Sequence, residues 1–512
     1  MLKCSERTSE MMKFYHDIKL LERKACEEYL LTSELLMENA AHSLANFIRD
    51  IVREKNIQPR GEGKHKLLIA AGPGNNGADG LALARILQGE YDIVIYMPFG
   101  TFSELCTLQF ERVSALRIEY CNDHLSPDIS IKTFLDTFEN ISLREWAKDV
   151  DIVVDALYGS GLNRPLDNKA CEVIEWLNSL KGLKIACDVP SGISNDGDVM
   201  WMAFRAEYSC VVGVCRESLL GDRAKDYVGT IHICPIGISP QMLELLDTPR
   251  GILLEEKDLQ LPSRRQRNSN SHKGSFGHLV VFMGQKEGAA ILSALSAFRF
   301  GAGIVTIIGD KNVNVPPEMV HTQSLPNNPA ALAIGMGLGD FALHDRKGVR
   351  NILLSRPVLL DADILYQDIT KEILEKNPNI ILTPHPKEFV ALMRLLGLAD
   401  CEVLELQRDR FRFVRLFTHS YPQATLLLKG ANPIIAQGDR IAVNNFGTPA
   451  LAKAGSGDVL SGLVSALLAQ GLECFDAAVQ GSLAHTLAAR HTKSASYALT
   501  PMELIETIGQ LE

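Results

Sequence analysis

Two α/β domains, each built on a mainly parallel sheet with helices on both faces, are predicted for this chain. Three observations carry that expectation. At 512 residues the chain exceeds what one hydrophobic core usually serves. Its apolar runs are short, continuous and separated by helical stretches, the pattern of strands buried on both faces. Several of these runs end in a glycine-rich turn, and open α/β sheets bind ligands just past the carboxyl ends of their strands.

In chain order, the first fifty residues read as two helices, with a start signal at Thr32-Ser33 before Glu34-Leu35-Leu36-Met37-Glu38-Asn39-Ala40-Ala41. Strands are then expected at 66–71, 93–97, 151–156, 184–189, 209–214 and 230–234. From about 241 to 271 the periodicity fails, and Leu261-Pro262-Ser263-Arg264-Arg265-Gln266-Arg267-Asn268-Ser269-Asn270-Ser271 forms a polar, basic connection. The domains are therefore placed at 1–240 and 257–512. In the second, strands are expected near 278–283, 304–308, 331–334, 358–361, 380–383, 425–428, 433–436 and 441–444. The two halves share this alternation but no obvious sequence repeat.

Lys and Arg number 52 against 62 Asp and Glu, a net charge of −10 that argues against a general nucleic-acid or anionic-membrane surface. No nucleic-acid or membrane partner is expected, and any anionic ligand must be held locally. Eleven cysteines without a Cys-x-x-Cys pair or a Cys/His cluster at zinc spacing read as reduced thiols. Met1 to Glu10 is polar and no apolar run reaches membrane-spanning length, so a cytoplasmic protein is expected, as is a homo-oligomer.

Three strand ends of the first domain share one chemical flavour. Gly72-Pro73-Gly74-Asn75-Asn76-Gly77-Ala78-Asp79-Gly80 lies between a strand and a helix, a ready phosphate seat. It is neither the dinucleotide fingerprint nor a Walker loop, and its two asparagines offer amide oxygens to a cation or amide nitrogens to a ligand. Val153-Val154-Asp155-Ala156-Leu157-Tyr158-Gly159-Ser160-Gly161-Leu162 ends a strand in a carboxylate and a second glycine loop, and Asp188-Val189-Pro190-Ser191-Gly192 ends another. Each alone reads equally well as a strand-terminating turn; their convergence at one sheet edge favours a site.

Together these motifs resemble the N-terminal, epimerase domain of the bifunctional NAD(P)H-hydrate repair enzymes, over about residues 16–239. The resemblance implies a Rossmann-like doubly wound sheet that interconverts R and S epimers of hydrated NADH or NADPH. It implies a potassium ion held by Asn76, Asp155 and Ser191, an all-oxygen set suited to a hard cation. It also implies substrate contacts from Asn75, Asn76, Gly77, Ala78 and Asp79, from Gly159, Ser160, Gly161, Leu162, Asn163, Arg164 and Pro165, and from Asp188. Asp188 is the candidate acid/base, because inverting a hemiaminal carbon needs proton traffic at its hydroxyl or ring nitrogen. Two departures stand out: Ala78 replaces a glycine usual in the family, and Cys215-Arg216-Glu217-Ser218 stands where a Lys-Pro-Gly turn is common.

In the second domain, Ala454-Gly455-Ser456-Gly457-Asp458 runs straight into an apolar helix. Free amides of a first helical turn and the helix dipole favour phosphate oxygens. Asp458 can then accept the proton of a hydroxyl attacking a bound phosphoryl group; capping of the helix by Asp458 is the competing reading. Upstream lie Gly288-Ala289-Ala290, Gly335-Met336-Gly337-Leu338-Gly339, Asp361-Ala362-Asp363, Pro384-His385-Pro386 and Lys429-Gly430-Ala431-Asn432, each after an apolar strand. Asp361 and Asp363 read alone as strand-end polarity and His385 as a turn residue, while Lys429, between a buried strand and a glycine, favours a phosphate or ribose contact.

That order resembles the ADP-dependent NAD(P)H-hydrate dehydratase domain of the same family, over about 257–512, and implies a ribokinase-like fold. By that resemblance Lys429, Gly430, Ala431, Asn432, Pro433 and Gly457 bind the adenine nucleotide, and Ala289, Gly339, His385 and Asp458 the hydrated substrate. ADP is the expected co-substrate, with magnesium on its phosphates. Met336 and Tyr366 depart from a proline and an asparagine common in the family. Two other readings use the same residues: a ribokinase-like kinase of a small-molecule alcohol, and a first domain that only binds.

Overall fold

The computed structural model describes residues 11–16, 18–61, 63–119, 131–135, 141–162, 164–262, 269–310, 312–339 and 348–512. The expectations for the N-terminal decapeptide, for Asn163 and for 263–268 of the connection lie outside the described residues. The chain divides into two compact units, chiefly 13–250 and 251–512.

The first unit is a seven-stranded, wholly parallel sheet. From edge to edge its strands are Ile131–Leu135, Asp92–Met97, Lys66–Ala71, Ile152–Ala156, Leu183–Cys187, Tyr208–Val212 and Thr230–Cys234. Numbered along the chain this is the order 3-2-1-4-5-6-7, the doubly wound Rossmann arrangement. Its direction reverses between Lys66–Ala71 and Ile152–Ala156, which pair in register from Leu67 with Ile152 to Ala71 with Ala156. The continuous apolar character of Lys66–Ala71 follows from burial on both faces. Leu67 and Ile69 pack with Met37, Leu44 and Leu81 on one side, and Leu68 and Ala70 with Val173 and Leu177 on the other. Thr32 caps helix Ser33–Glu54 by accepting from the Leu35 amide, as its start signal requires.

Sequence periodicity did not anticipate Ile131–Leu135 or the short parallel pairing of Met12–Tyr15 with Cys215–Arg216. Nor is the stretch from 241 irregular throughout. Pro240–Leu246 is a helix capped by Ser239, and Gly251–Leu253 is a strand of the second unit. Both are too short to show a period.

The second unit orders its strands Val320–Thr322, Ile304–Ile308, His278–Phe282, Ala331–Ile334, Val358–Leu360, Ile380–Leu382, Thr425–Leu428, Ile434–Gln437, Arg440–Val443 and Gly251–Leu253. Pairing is parallel as far as Thr425–Leu428, and Ile434–Gln437 is antiparallel to both its neighbours. Helix Ser456–Ala469 packs on Glu287–Arg299 so closely that a Cβ on Gly462 would lie 1.9 Å from Ser296 Oγ. The serines of that seam bond across it, Ser293 Oγ to the Asp458 carbonyl at 2.8 Å and Ser296 Oγ to the Val459 carbonyl at 3.0 Å. Met336 is fully buried in this core, whereas Tyr366 is 47% exposed. Among the described residues no helix is long and apolar enough to cross a membrane.

Candidate active sites

A cavity of about 640 Å³ opens at the carboxyl ends of the first sheet, beside its switch point. Its wall includes Asn75, Asn76 and Asp79 from the first glycine loop, Gly159, Ser160 and Gly161 from the second, and Asp188. Those seven expected residues are brought together. Gly77, Ala78, Leu162, Arg164 and Pro165 are not part of the wall. A Cβ on Gly77 would meet the Gly72 carbonyl at 1.8 Å, so that glycine serves the turn itself. Ala78 is fully buried in the apolar core, within a helix, so its methyl faces packing and no ligand. Leu162 is buried, and Arg164 and Pro165 point to solvent.

Asp188 sits at φ +69°, a left-handed conformation that aspartate tolerates better than most residues. Its Oδ1 accepts from Arg216 Nε at 2.7 Å, and Arg216 Nη2 lies 2.5 Å from the same oxygen; the Ser160 amide donates to Oδ2 at 3.3 Å. Arg216, noted in the sequence only as a departure, therefore belongs to the site, and its Nη1 is buried without a partner among the described residues. Glu22 also lines the cavity, from helix Ile18–Tyr29, and no sequence motif marks it. Burial above all, then the charges of Asp188 and Glu22, push Asp79 well above the usual carboxylate range.

The proposed potassium ligands divide in two. Asp155 and Ser191 are sealed beneath the cavity, joined by Ser191 Oγ to Asp155 Oδ1 at 2.7 Å and by the Ser191 amide to Asp155 Oδ2 at 2.7 Å. The Tyr158 carbonyl lies 3.1 Å from the same hydroxyl. Burial raises Asp155 to about 6 against these hydrogen bonds. Among the described residues the buried Asn76 Nδ2 has no partner, and turning that amide over would present its oxygen instead. An all-oxygen donor set with one unsatisfied amide fits a hard monovalent cation.

In the second unit the expected residues gather through backbone and charge. Gly455 takes φ +89° and is the N-cap of helix Ser456–Ala469, so Asp458 is not the cap. It stands third in the helix, in the first turn and partly buried, where the amides have no intrahelical acceptor. Burial first, then the charge of Asp361, raises Asp458 to about 6, with Lys429 and Lys286 pulling the other way. Lys429 Nζ donates to Asp361 Oδ1 at 2.8 Å and lies 3.8 Å from Glu388. Burial works against that ammonium, but Asp361, Glu388 and Asp458 together hold its pKa above the usual lysine value. A Cβ on Gly457 would lie 3.6 Å from Lys429 Nζ, which places the lysine at the helix tip.

His385 caps helix Pro386–Leu395, its Nδ1 accepting from the Glu388 amide at 3.2 Å while the Glu388 carboxylate accepts from the His385 amide at 2.7 Å. Burial and then Lys429 lower the His385 pKa, so the ring is neutral. Gly339 N donates to Asp363 Oδ2 at 2.8 Å, and the 335–339 turn docks on Lys286 and Ala289. The loop of Lys429, Gly430, Ala431, Asn432 and Pro433 is clamped from beneath by Arg410, 2% exposed, which donates to the carbonyls of Leu428, Lys429 and Asn432. Arg410, Glu388, Asp361 and Ser461, whose hydroxyl donates to Asp361 Oδ2 at 2.6 Å, were not predicted as site residues. Of these Glu388 had a local signal, three residues past His385, and Asp361 had one at its strand end, where it was read as ordinary polarity. Among the described residues no cluster of three or more His, Cys, Asp or Glu is set to hold a metal. Asp361 is taken up by Lys429 and Ser461, which fits a magnesium ion that arrives on nucleotide phosphates.

Residues 279–510 match the family model described as NAD(P)H-hydrate dehydratase, and 33–217 match that of the YjeF-related protein N-terminus. The bifunctional NAD(P)H-hydrate repair enzyme Nnr of Helicobacter pylori is 38% identical over 509 residues, covering 98% of this chain and all of that one. The chain belongs to the bifunctional NAD(P)H-hydrate repair enzyme family. The Escherichia coli member is 28% identical, over 92% of this chain and 88% of its own. Among solved structures, the ADP/ATP-dependent NAD(P)H-hydrate dehydratase of Bacillus subtilis, co-crystallised with ATP/Mg2+, matches 48% of this chain and 92% of that one at 27% identity and a TM-score of 0.40. Membership of this repair family separates the second unit from kinases that would leave a stable phosphate ester on an alcohol.

Proposed function

We propose that a first domain, residues 1–240, interconverts the R and S forms of hydrated NADH and NADPH, and that a second domain, 257–512, dehydrates the S form with ADP, releasing AMP and phosphate. The observation that carries this reading is Asp458, a carboxylate of raised pKa in the first turn of a glycine-opened helix, beside a lysine drawn to the same tip. Hydroxide leaves the hydrated ring badly, and phosphorylating it solves that problem. Asp458 takes the hydroxyl proton as the oxygen attacks the β-phosphoryl group. The amides around Gly455, Ser456 and Gly457 and the Lys429 ammonium stabilise the charge on the transferred group. Phosphate then departs with the push of the ring nitrogen.

In this assignment Lys429, Gly430, Ala431, Asn432, Pro433 and Gly457 seat the adenine nucleotide, while Ala289, Gly339 and His385 face the hydrated ring. Magnesium would supply charge neutralisation on the ADP phosphates. In the first unit Asn75, Asn76, Asp79, Gly159, Ser160, Gly161 and Asp188 surround the substrate. Potassium at Asn76, Asp155 and Ser191 would supply a fixed positive charge below it. The acidic net charge supports small-molecule partners, and the described cysteines, all free, support a reducing compartment such as the cytoplasm.

The test supplies chemically hydrated NADH with ADP or ATP and follows both epimers by chromatography. Wild-type protein is expected to consume both and form NADH, and Asp458→Asn to slow ADP-dependent recovery by about two to four orders of magnitude. Near-normal recovery by the variant would remove Asp458 from the chemistry.

A further inference from the structure

Three carboxyl groups line the first cavity, and they are not equivalent. Asp188 is fully engaged: besides Arg216 and the Ser160 amide, the Val212 amide reaches Oδ1 at 3.4 Å. Both of its oxygens are thus committed to donors, and its guanidinium partner is buried with it. Asp79, from the first glycine loop, is pushed well above the usual carboxylate range by burial and then by the neighbouring carboxylates. Glu22 enters from a different element, helix Ile18–Tyr29. Among the described residues no hydrogen bond occupies its carboxyl, and it faces the same space.

Burial, the largest effect, raises the Glu22 pKa; Arg216 and Lys19 lower it and Asp188 raises it. Arg23 and Cys26 of its own helix, Asp79 and Tyr158 complete the charged and titratable groups that line the cavity. We propose that Glu22 carries the proton in epimerisation, while Arg216 and Asp188 form a rigid ion pair that positions the substrate.

This rests on the reading of the first unit as an epimerase. Glu22 takes the proton of the ring hydroxyl; the O–H electrons form a carbonyl as the bond from that carbon to the ring nitrogen breaks. The released pair stays on nitrogen, spread through the ring double bond into the carboxamide. After the aldehyde turns, the nitrogen adds to its other face and Glu22 returns the proton. No oxidant or reductant is needed.

The full-length protein is given the R form without ADP, and appearance of the S form above the uncatalysed rate is followed by chromatography. ADP-dependent turnover of the S form serves as the control for folding. Glu22→Gln is expected to lower kcat by about 100-fold or more with KM little changed and S-form turnover intact, and Glu22→Asp to restore part of the rate. Wild-type and Asp188→Asn proteins should share an acid limb in the pH profile that Glu22→Gln lacks. A Glu22→Gln rate within about threefold of wild type, or an acid limb lost in Asp188→Asn and kept in Glu22→Gln, overturns the inference alone. A wild-type protein that leaves the R form unchanged overturns the epimerase reading and the inference with it.

Discussion

Asp458 keeps its proton to about pH 6 because burial, and then Asp361, disfavour its charged form. A base works only when ionised, so kcat/KM of the ADP-driven step is expected to fall as pH drops through about 6. The same group has the opposite effect on stability. An unfolded aspartate releases its proton near 3.8, so between 3.8 and about 6 the folded state binds the proton more tightly and stability declines as pH rises. Asp458→Asn is therefore expected to melt above wild type at pH 7 while losing activity; thermal unfolding across this pH range checks it, and an unchanged melting temperature would show that the charge carries no strain. Asp458 and Lys429 were legible in the sequence because their chemistry is local, a glycine turn at a helix start and a lysine at a strand end. Arg216 and Glu22 were not, since each acquires meaning only from a cavity that the fold assembles from distant segments.

Helix Ser456–Ala469 is positioned by contact at the width of a missing side chain. Gly462→Ala would force a methyl onto Ser296 Oγ and the Ser293 carbonyl, and is expected to cost about 1–3 kcal/mol in thermal or urea unfolding. Because Ser293 also holds the Asp458 carbonyl, the dehydratase kcat should fall too. Arg410→Met would leave the three carbonyls under the nucleotide loop without their buried donor. A loss of about 2–3 kcal/mol and a raised KM for ADP are expected, measured by unfolding and by steady-state kinetics. Strand positions were readable wherever both faces are buried, as in Lys66–Ala71, since the apolar run is then unbroken. Ile131–Leu135, an edge strand paired on one side only, mixes lysine and threonine with apolar residues and gives no such run. Met12–Tyr15 finds its partner some two hundred residues away, so nothing in its own four residues announces it.

At the scale of the whole molecule, joining an epimerase to a stereospecific dehydratase lets one chain empty both halves of a racemising pool. With ADP and a mixture of epimers, Asp188→Asn is expected to consume the S form as wild type does and the R form more slowly than wild type, though faster than its spontaneous conversion, read by chromatography. Disappearance of both at the wild-type ratio would take Asp188 out of the site.

The far end of the second unit braces the proposed dehydratase site without contributing a residue to it. Gly455 has room only for a hydrogen where it faces Pro501 and Leu292, and Lys453 Nζ reaches the Tyr497 carbonyl at 2.9 Å. Helix Pro501–Ile508 thus acts as a buttress for the turn of the proposed phosphate seat. Deletion of residues 497–512 would spare every proposed site residue and is expected to lower dehydratase turnover by removing the wall against which the loop is braced.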